Sequence, residues 1–436
     1  MHSLQKKIQD KTAVYAVIGL GYVGLPNLVF YGEQGYRTLG FEMDPAKVAS
    51  INRGVSYIQT ISSERLSGLR EVGRISATSD MVRLGEADVI FIDVPTPIDE
   101  FKAPDTAALK RACASVRAYV GKGSLIILES TTYPTTTEEF FVKAFEEKGW
   151  RVGRDIFIAY SPERIDPGNQ NFTIENTPRI VGGYTQNCLE LAKLVLGEAA
   201  YPMSSVRAAE MAKLYENTFR FVNIALANEM AQLCNKIGID FWEVVTAADT
   251  KPFGFMAFYP TVGVGGHCIP VDPYYLTWYA KKHHFTAELI EAAGAINDRM
   301  NDYAIAKLSS ILNDHQKTVL SSKIAVMGVT YKKDVPDVRE SAIFRLYEAL
   351  DQMGADITLY DPFVERIMIG GKKIPVYQPD YDALSSFDLV VILVDHSLFD
   401  YARIAEQASL IFDTKNRLEV LKGAVVIRGE ESQYKL

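Results

Sequence analysis

Three stretches of the chain hold residue types whose spacing suits chemistry. One reads Gly263-Val-Gly265-Gly266-His267-Cys268-Ile-Pro270-Val-Asp272-Pro273. Its three glycines permit close backbone approach to a ligand and put Cys268 on a loop rather than inside an apolar helix. A thiolate there is a strong nucleophile toward a carbonyl. Cys113, Cys188 and Cys234 fall in helical stretches and read as small buried hydrophobes. His267 either tunes the thiol or caps the loop. The second stretch holds Lys213 and Asn217, four apart and so on one helix face, with Asn228 near the same face. Facing a pocket, a lysine and an amide hold a water and stabilise a developing oxyanion; facing water, they are an ordinary solvated surface.

The third is Gly19-Leu20-Gly21-Tyr22-Val23-Gly24, a G-x-G-x-x-G between an apolar strand-like run and a helical segment. Gly19 permits the tight turn, Gly21 lets backbone reach a pyrophosphate at a helix N-terminus, and Gly24 allows close helix packing. Glu42, 18 positions beyond Gly24, stands where a carboxylate accepts from ribose hydroxyls and repels a 2′-phosphate. NAD is therefore expected over NADP, with Lys47 partly offsetting the charge.

These residues need elements to hold them. Val14–Ile18, Arg37–Phe41, Val89–Asp93, Leu125–Leu128 and Ile156–Ala159 are short apolar runs bounded by Gly, Pro or Asp, alternating with helical stretches. That alternation predicts a parallel sheet with helices on both faces. Val206 to Ile237 has no Gly or Pro and reads as one long helix; a Gly-, Pro- and aromatic-rich loop follows from about Thr250 to Pro273. Lys323–Met327, Asp356–Tyr360, Leu389–Val394 and Leu410–Phe412 read as strands of a second alternating region. The fold class expected is α/β: two Rossmann-like parallel-sheet domains joined by a central helical region with one long helix.

Composition narrows the function. The net charge of −8 and the lack of a basic tract argue against nucleic acid. The longest apolar runs fall far short of the ~20 residues that a membrane span needs. The N-terminus, MHSLQKKIQDK, has no apolar segment after its lysines and is not expected to be a secretory signal. Four scattered cysteines suggest neither a disulfide framework nor a CxxC metal pair, and no metal is expected. A cytoplasmic, reduced, soluble protein is the expectation.

GLGYVG, STTYP, YSPER, KLYENTFR, GVGGHCIPVDP and YKKDVPDVRES occur in this order along the chain. The sequence resembles the UDP-glucose/GDP-mannose dehydrogenase family over nearly its whole length. Tyr160-Ser161-Pro162-Glu163-Arg164 with Pro167-Gly168, and Thr250 to Pro260, make it most similar to the members acting on UDP-N-acetylglucosamine. The resemblance implies an NAD-dependent four-electron oxidation at the sugar C6, through a cysteine thiohemiacetal and thioester, in a homodimer or higher homo-oligomer. It implies an NAD-binding domain over 1–205, a central helical dimerisation and catalytic domain over 206–315, and a UDP-sugar-binding domain over 316–436.

It also implies roles. Cys268 matches the nucleophile; Lys213 and Asn217 match groups that stabilise oxygen charge and hold water. Asp272 matches the carboxylate that assists hydrolysis, and Glu163 and Thr131 match the acid/base water network. For NAD the matching residues are Gly19, Leu20, Gly21, Tyr22, Val23, Gly24, Glu42, Lys47, Thr96, Ser130, Thr131 and, from a partner subunit, Arg339. For the UDP-sugar they are Glu163, Arg164, Lys213, Asn217, Lys251, Gly265, Tyr331, Lys332 and Arg417, with Lys415 an alternative to Arg417. UDP-glucose-type members carry an acid where this chain has Pro167, and the adjoining Asp166 either substitutes for it or does not. UDP-N-acetylmannosamine and UDP-glucose are the alternative substrates; a silent NAD- and UDP-sugar-binding protein is the alternative of a different class.

Overall fold

The computed structural model describes all residues except 59, 165–170, 173, 175, 267 and 419–432. The chain divides into two compact units, Met1–Glu216 with Tyr274–Phe285, and Asn217–Pro273 with Thr286–Leu436.

The first unit is built on eight strands: β1 (Val14–Ile18), β2 (Arg37–Phe41), β3 (Ile75–Thr78), β4 (Val89–Ile92), β5 (Leu125–Leu128), β6 (Phe157–Tyr160), β7 (Arg179–Gly183) and β8 (Ala200–Pro202). Their order is β3-β2-β1-β4-β5-β6-β7-β8, and only the β6–β7 pair is antiparallel. The middle strands read VIFI, LIIL and FIAY and are buried throughout. Such unbroken apolar runs are what a sheet covered on both faces requires. The first six strands follow the doubly wound dinucleotide-binding order, which reverses between β1 and β4 and opens a crevice at their carboxyl ends.

In the second unit, β9 (Lys323–Met327), β10 (Asp356–Tyr360), β13 (Leu389–Ile392), β14 (Ile411–Asp413) and β15 (Gln433–Lys435) form a parallel sheet ordered β10-β9-β13-β14-β15. A hairpin of β11 (Arg366–Ile369) and β12 (Lys372–Pro375) is inserted before β13. On β9, Ile324 and Val326 join a core with Met300 and Leu308 of the helix Glu288–Asp314, while Ala325 and Met327 join a second core with Leu384 and Ile404. Period-2 alternation thus feeds two cores, one on each face. This order reverses between β9 and β13, so a second crevice is expected there.

The expected α/β class is therefore observed, with two parallel sheets and the helix Val206–Ile237 at the bounds read from sequence. Some expected strand ends shift by a residue or two: β4 stops at Ile92, β6 runs Phe157–Tyr160, β13 stops at Ile392 and β14 runs Ile411–Asp413. The residues left out, Asp93, Ile156, Leu393, Val394 and Leu410, fall in the flanking connections. The strands not expected (β3, β7, β8, the hairpin and β15) are short or polar, such as ISAT and KKIP, and periodicity gives them little signal.

Candidate active site

Backbone geometry explains the first glycine loop. Gly19 has φ +92°, and a Cβ there would lie 2.5 Å from the Asp93 carbonyl oxygen. A Cβ on Gly24, where the helix Gly24–Glu33 starts, would lie 1.8 Å from the Gly19 carbonyl oxygen. Around Gly21 a Cβ would meet nothing within 4 Å, so that position is open to a ligand. Glu42, just past β2, accepts from the backbone N–H of Leu20 (3.1 Å), Met43 (2.8 Å) and Asp44 (3.1 Å). Lys47 stands 3.7 Å from its carboxylate. The Tyr57 hydroxyl donates to the Leu20 carbonyl at 2.6 Å. Glu42 is thus fixed against the loop, and its roughly four lone-pair sites leave capacity for a ribose hydroxyl. These features fit a dinucleotide: Gly19, Leu20, Gly21, Tyr22, Val23 and Gly24 would hold the pyrophosphate and Glu42 the ribose.

Beneath the loop lies a buried polar network that the sequence reading missed. Asn27, on the first turn of the helix, donates to Asp93 (3.2 Å) at the end of β4 and to Glu129 at the end of β5. Arg179 on β7 pairs with Glu129, both being buried. Burial and the neighbouring Glu129 push the Asp93 carboxyl up. The crevice floor is thereby bolted across four elements.

Thr96 is buried after β4, and the Ser130 hydroxyl lies 2.8 Å from the Val94 carbonyl and 3.1 Å from that of Ile92. Thr131, half-buried, opens the turn after β5. The same unit brings Glu163, Arg164 and Lys213 together. Lys213 Nζ donates to the Glu163 carbonyl at 2.6 Å, and the Glu163 carboxylate accepts from the Arg164 N–H at 2.6 Å. Arg164 makes a bidentate pair with Glu216 (2.7 and 3.2 Å) and donates to the Pro178 carbonyl. Its guanidinium therefore braces the Ser161–Arg164 segment on the long helix. Asp166, Pro167 and Gly168 lie outside the described residues.

Glu210 was not expected in the site. It is buried on the long helix, one turn before Lys213. Its carboxylate accepts from the N–H of Thr135 (2.7 Å) and Thr137 (2.9 Å) and from the Thr137 hydroxyl (2.7 Å). Burial pushes this carboxyl up to about 7. Glu210 therefore ties the Thr135–Thr137 segment to the helix bearing Lys213. Its spacing of three from Lys213 and seven from Asn217 was the available signal.

In the second unit, Cys268 is half-buried and precedes the helix Asp272–Lys282. Its carbonyl accepts from the N–H of Val271 (3.1 Å) and Asp272 (2.9 Å). Asp272 is buried and accepts from the Asn217 amide, so the sequence-read carboxylate and amide meet. Asn228 is committed otherwise: it accepts from Thr261 N–H (2.8 Å) and donates to Asn297 (2.9 Å), anchoring the start of the Cys268 loop. His267 lies outside the described residues.

The three glycines of this loop approach protein closely. A Cβ on Gly263 (φ +97°) would lie 2.8 Å from the Asn301 amide nitrogen. One on Gly265 would lie 2.7 Å from Tyr331 Cβ and 2.8 Å from the Glu340 carbonyl oxygen; one on Gly266 (φ +93°) would lie 2.8 Å from the Tyr331 ring. Gly266 N–H also donates to the Arg339 carbonyl at 3.1 Å. The expected close approach to a ligand is thus first an approach to the loop after β9.

That contact walls a pocket lined by Thr261, Gly263, Gly265, Thr330, Tyr331 and Lys415, among others. It sits at the carboxyl ends of β9, β13 and β14, where the strand order reverses. Burial lowers the Lys415 ammonium from its ordinary value. Of the two cations named from the sequence, Lys415 lines the pocket and Arg417 lies over the Tyr401 ring at 5.2 Å. Lys332, on the loop after β9, accepts at its carbonyl from the Thr330 hydroxyl (2.9 Å). Arg339 pairs with Asp337 on its own loop (2.6 Å), and Lys251 is exposed with its ammonium over the Phe253 ring. Among the described residues no group of three or more His, Cys, Asp or Glu is placed to hold a metal, and no helix is long and apolar enough to cross a membrane.

Comparison with known proteins agrees. Residues 13–199 match the NAD binding domain of the UDP-glucose/GDP-mannose dehydrogenase family, residues 207–299 its central domain and residues 325–420 its UDP binding domain. The chain is 34% identical to a UDP-N-acetyl-D-glucosamine 6-dehydrogenase of Pseudomonas aeruginosa over 93% of this chain and 97% of that protein. It is 33% identical to a UDP-N-acetyl-D-mannosamine dehydrogenase of Pyrococcus horikoshii over 88% of this chain and 90% of that protein. The structure of UDP-D-ManNAc dehydrogenase from Pyrococcus horikoshii superposes with a TM-score of 0.86 at 30% identity, covering 97% of this chain and 98% of that one. The chain belongs to the UDP-glucose/GDP-mannose dehydrogenase family and is an NAD-dependent UDP-sugar dehydrogenase.

Proposed function

We propose that the enzyme oxidises UDP-N-acetylglucosamine to UDP-N-acetylglucosaminuronate in two hydride transfers through a thioester on Cys268. The supporting observation is that Gly265, three residues before Cys268, lines the same pocket as Tyr331 and Lys415. A nucleotide held by the cationic side of that pocket has the nucleophile's own loop for a wall. Bound NAD supplies the hydride acceptor, once for the alcohol and once for the thiohemiacetal. Tyr331, Lys332 and Lys415 neutralise and orient the diphosphate as hydrogen-bond donors and point charges. Loss of a hydride from C6 and of the proton from its hydroxyl gives an aldehyde, to which the Cys268 thiolate adds. Lys213 and Asn217 stabilise the resulting oxygen charge. Loss of the second hydride leaves the thioester. Asp272, positioned by Asn217, takes the proton from the attacking water, and the C–S bond breaks to return the thiol. Glu163 and Thr131 hold the water network.

In this reading residues 1–205 carry NAD, 206–315 catalysis and dimerisation, and 316–436 the UDP-sugar, in a cytoplasmic enzyme. Phe219, Leu226, Leu233 and Ile237 repeat every four or seven residues on the long helix and are 44–59% exposed, which favours a second copy of the chain as their cover. Arg339, Lys251 and Arg417 then have roles toward ligands only if the dimer or substrate brings them in. UDP-N-acetylmannosamine is the second reading, favoured by the 0.86 TM-score to the Pyrococcus horikoshii enzyme. NADH formation from UDP-GlcNAc, UDP-ManNAc and UDP-glucose decides between them. UDP-GlcNAc should exceed UDP-glucose in kcat/KM by over tenfold, a difference above ~1.4 kcal/mol. A preference for UDP-glucose would overturn the substrate assignment, and a preference for UDP-ManNAc would establish the second reading.

A further inference from the structure

The second unit contains a fully buried histidine that the chemistry above does not use. His396 follows β13 with no exposed surface. Its Nδ1 accepts from the Asp334 backbone N–H at 3.0 Å. A nitrogen that accepts there carries no proton, so the neutral ring is protonated at Nε2. That Nε2–H faces Asp361 Oδ2 at 3.0 Å and Thr330 Oγ1 at 3.1 Å. Asp361, equally buried, also accepts from Val329 N–H (2.8 Å) and Phe363 N–H (2.8 Å). The Asp334 carboxylate returns to the chain after His396 by accepting from Ser397 N–H (2.7 Å). One imidazole therefore joins the ends of β9, β10 and β13 and holds both ends of the segment 330–334. That segment contains Tyr331, which lines the pocket, and Lys332.

We propose that His396, held neutral with its proton on Nε2, is a positioning residue for UDP recognition: its bond to Asp334 N–H sets the 330–334 segment in the shape that presents Tyr331 and Lys332 to the nucleotide. The inference rests on the reading of this pocket as the UDP site. A structural histidine would only fill space, and its packing against the Phe363 and Phe399 rings (5.0 and 5.3 Å) is something a phenylalanine can imitate. The separating feature is the acceptor at Nδ1. Asparagine can place its amide oxygen where Nδ1 sits, whereas glutamine reaches the Nε2 position instead.

Calorimetric titration with UDP, and separately with NAD, of the wild type and of His396→Phe, His396→Gln and His396→Asn tests this. His396→Phe and His396→Gln should lose at least tenfold in UDP affinity, His396→Asn should stay within threefold of wild type, and NAD affinity should not move. UDP binding unchanged in His396→Phe and His396→Gln, or lost equally in all three folded variants, overturns the proposal. If the wild type itself binds no UDP, the pocket assignment falls and this inference with it. The wild type alone gives a second test that needs no variant. With 15N-labelled histidine, the His396 ring signals should show the Nε2–H form and shift when UDP is added; the Nδ1–H form refutes the proposal.

Discussion

Replacing Glu210 by glutamine should change how the protein's stability depends on pH. The carboxyl is buried, and its folded-state pKa is about 7 against an ordinary 4.5. Folding thus takes up a proton between these values, because the folded state binds it more tightly. Stability is then greatest below the unfolded value and is lost as pH rises through the folded one. The full loss, ~2.5 units at ~1.4 kcal/mol per unit, is roughly 3 to 4 kcal/mol. Between pH 6 and 8, above the calculated isoelectric point of 5.5, a single site with this pKa contributes on the order of 1 kcal/mol of that. Glutamine keeps the shape and one acceptor oxygen but does not titrate. Urea unfolding of both proteins at several pH values, followed by far-UV circular dichroism and by Trp150 and Trp278 of the first unit, measures the difference. Wild type should lose on the order of 1 kcal/mol relative to Glu210→Gln from pH 6 to 8, whatever the constant offset between them. Parallel curves, or a wild type that gains on the variant as pH rises, would refute the reasoning.

The cofactor site offers two further tests. Glu42→Gln should narrow the preference for NAD over NADP in kcat/KM by on the order of tenfold, about 1.4 kcal/mol, because the charge facing a 2′-phosphate is gone; an unchanged ratio would remove Glu42 from the specificity argument. Gly24→Ala places a methyl where the Gly19 carbonyl oxygen stands 1.8 Å away, so NAD affinity should fall by at least ~100-fold, about 2.7 kcal/mol, while UDP affinity holds; an NAD affinity within threefold of wild type would contradict the loop geometry.

Much of this architecture was legible in the sequence, for physical reasons that particular residues show. β1, β2, β5, β9 and β10 have the expected bounds because each is a short apolar run stopped by a turn residue. Gly19 and Gly24 were readable because only glycine tolerates those contacts with the Asp93 and Gly19 carbonyls. The glycines of the Cys268 loop were readable as a need for close approach, but not as an approach to Tyr331 and Asn301, which lie more than thirty residues away in the chain. Which of Lys415 and Arg417 lines the pocket depends on how the turn after β14 closes. There Asp413 accepts from Lys415 N–H (2.9 Å) and Leu418 N–H (2.9 Å). No pattern in the residues alone fixes which of two nearby cations then enters the pocket. Glu210, His396 and Asp361 escaped notice because a buried polar residue is recognised by its partners, and those partners come from distant strands and loops. β15 pairs with β14 only after the intervening chain has returned, so a three-residue polar segment carried no local signal.

The central claim is that Cys268 is a covalent nucleophile, and counting NADH against sugar tests it most directly. In the proposed mechanism the first hydride leaves an alcohol and requires no sulfur; the second leaves the thiohemiacetal, which cannot form without it. Wild type should give two NADH for each UDP-sugar consumed. Cys268→Ala should bind NAD and UDP-sugar nearly as wild type does, make uronate slower by several orders of magnitude, and give no more than one NADH per sugar consumed. A Cys268→Ala enzyme that makes uronate at a near-normal rate with two NADH per sugar would show the thiol to be structural and the mechanism wrong.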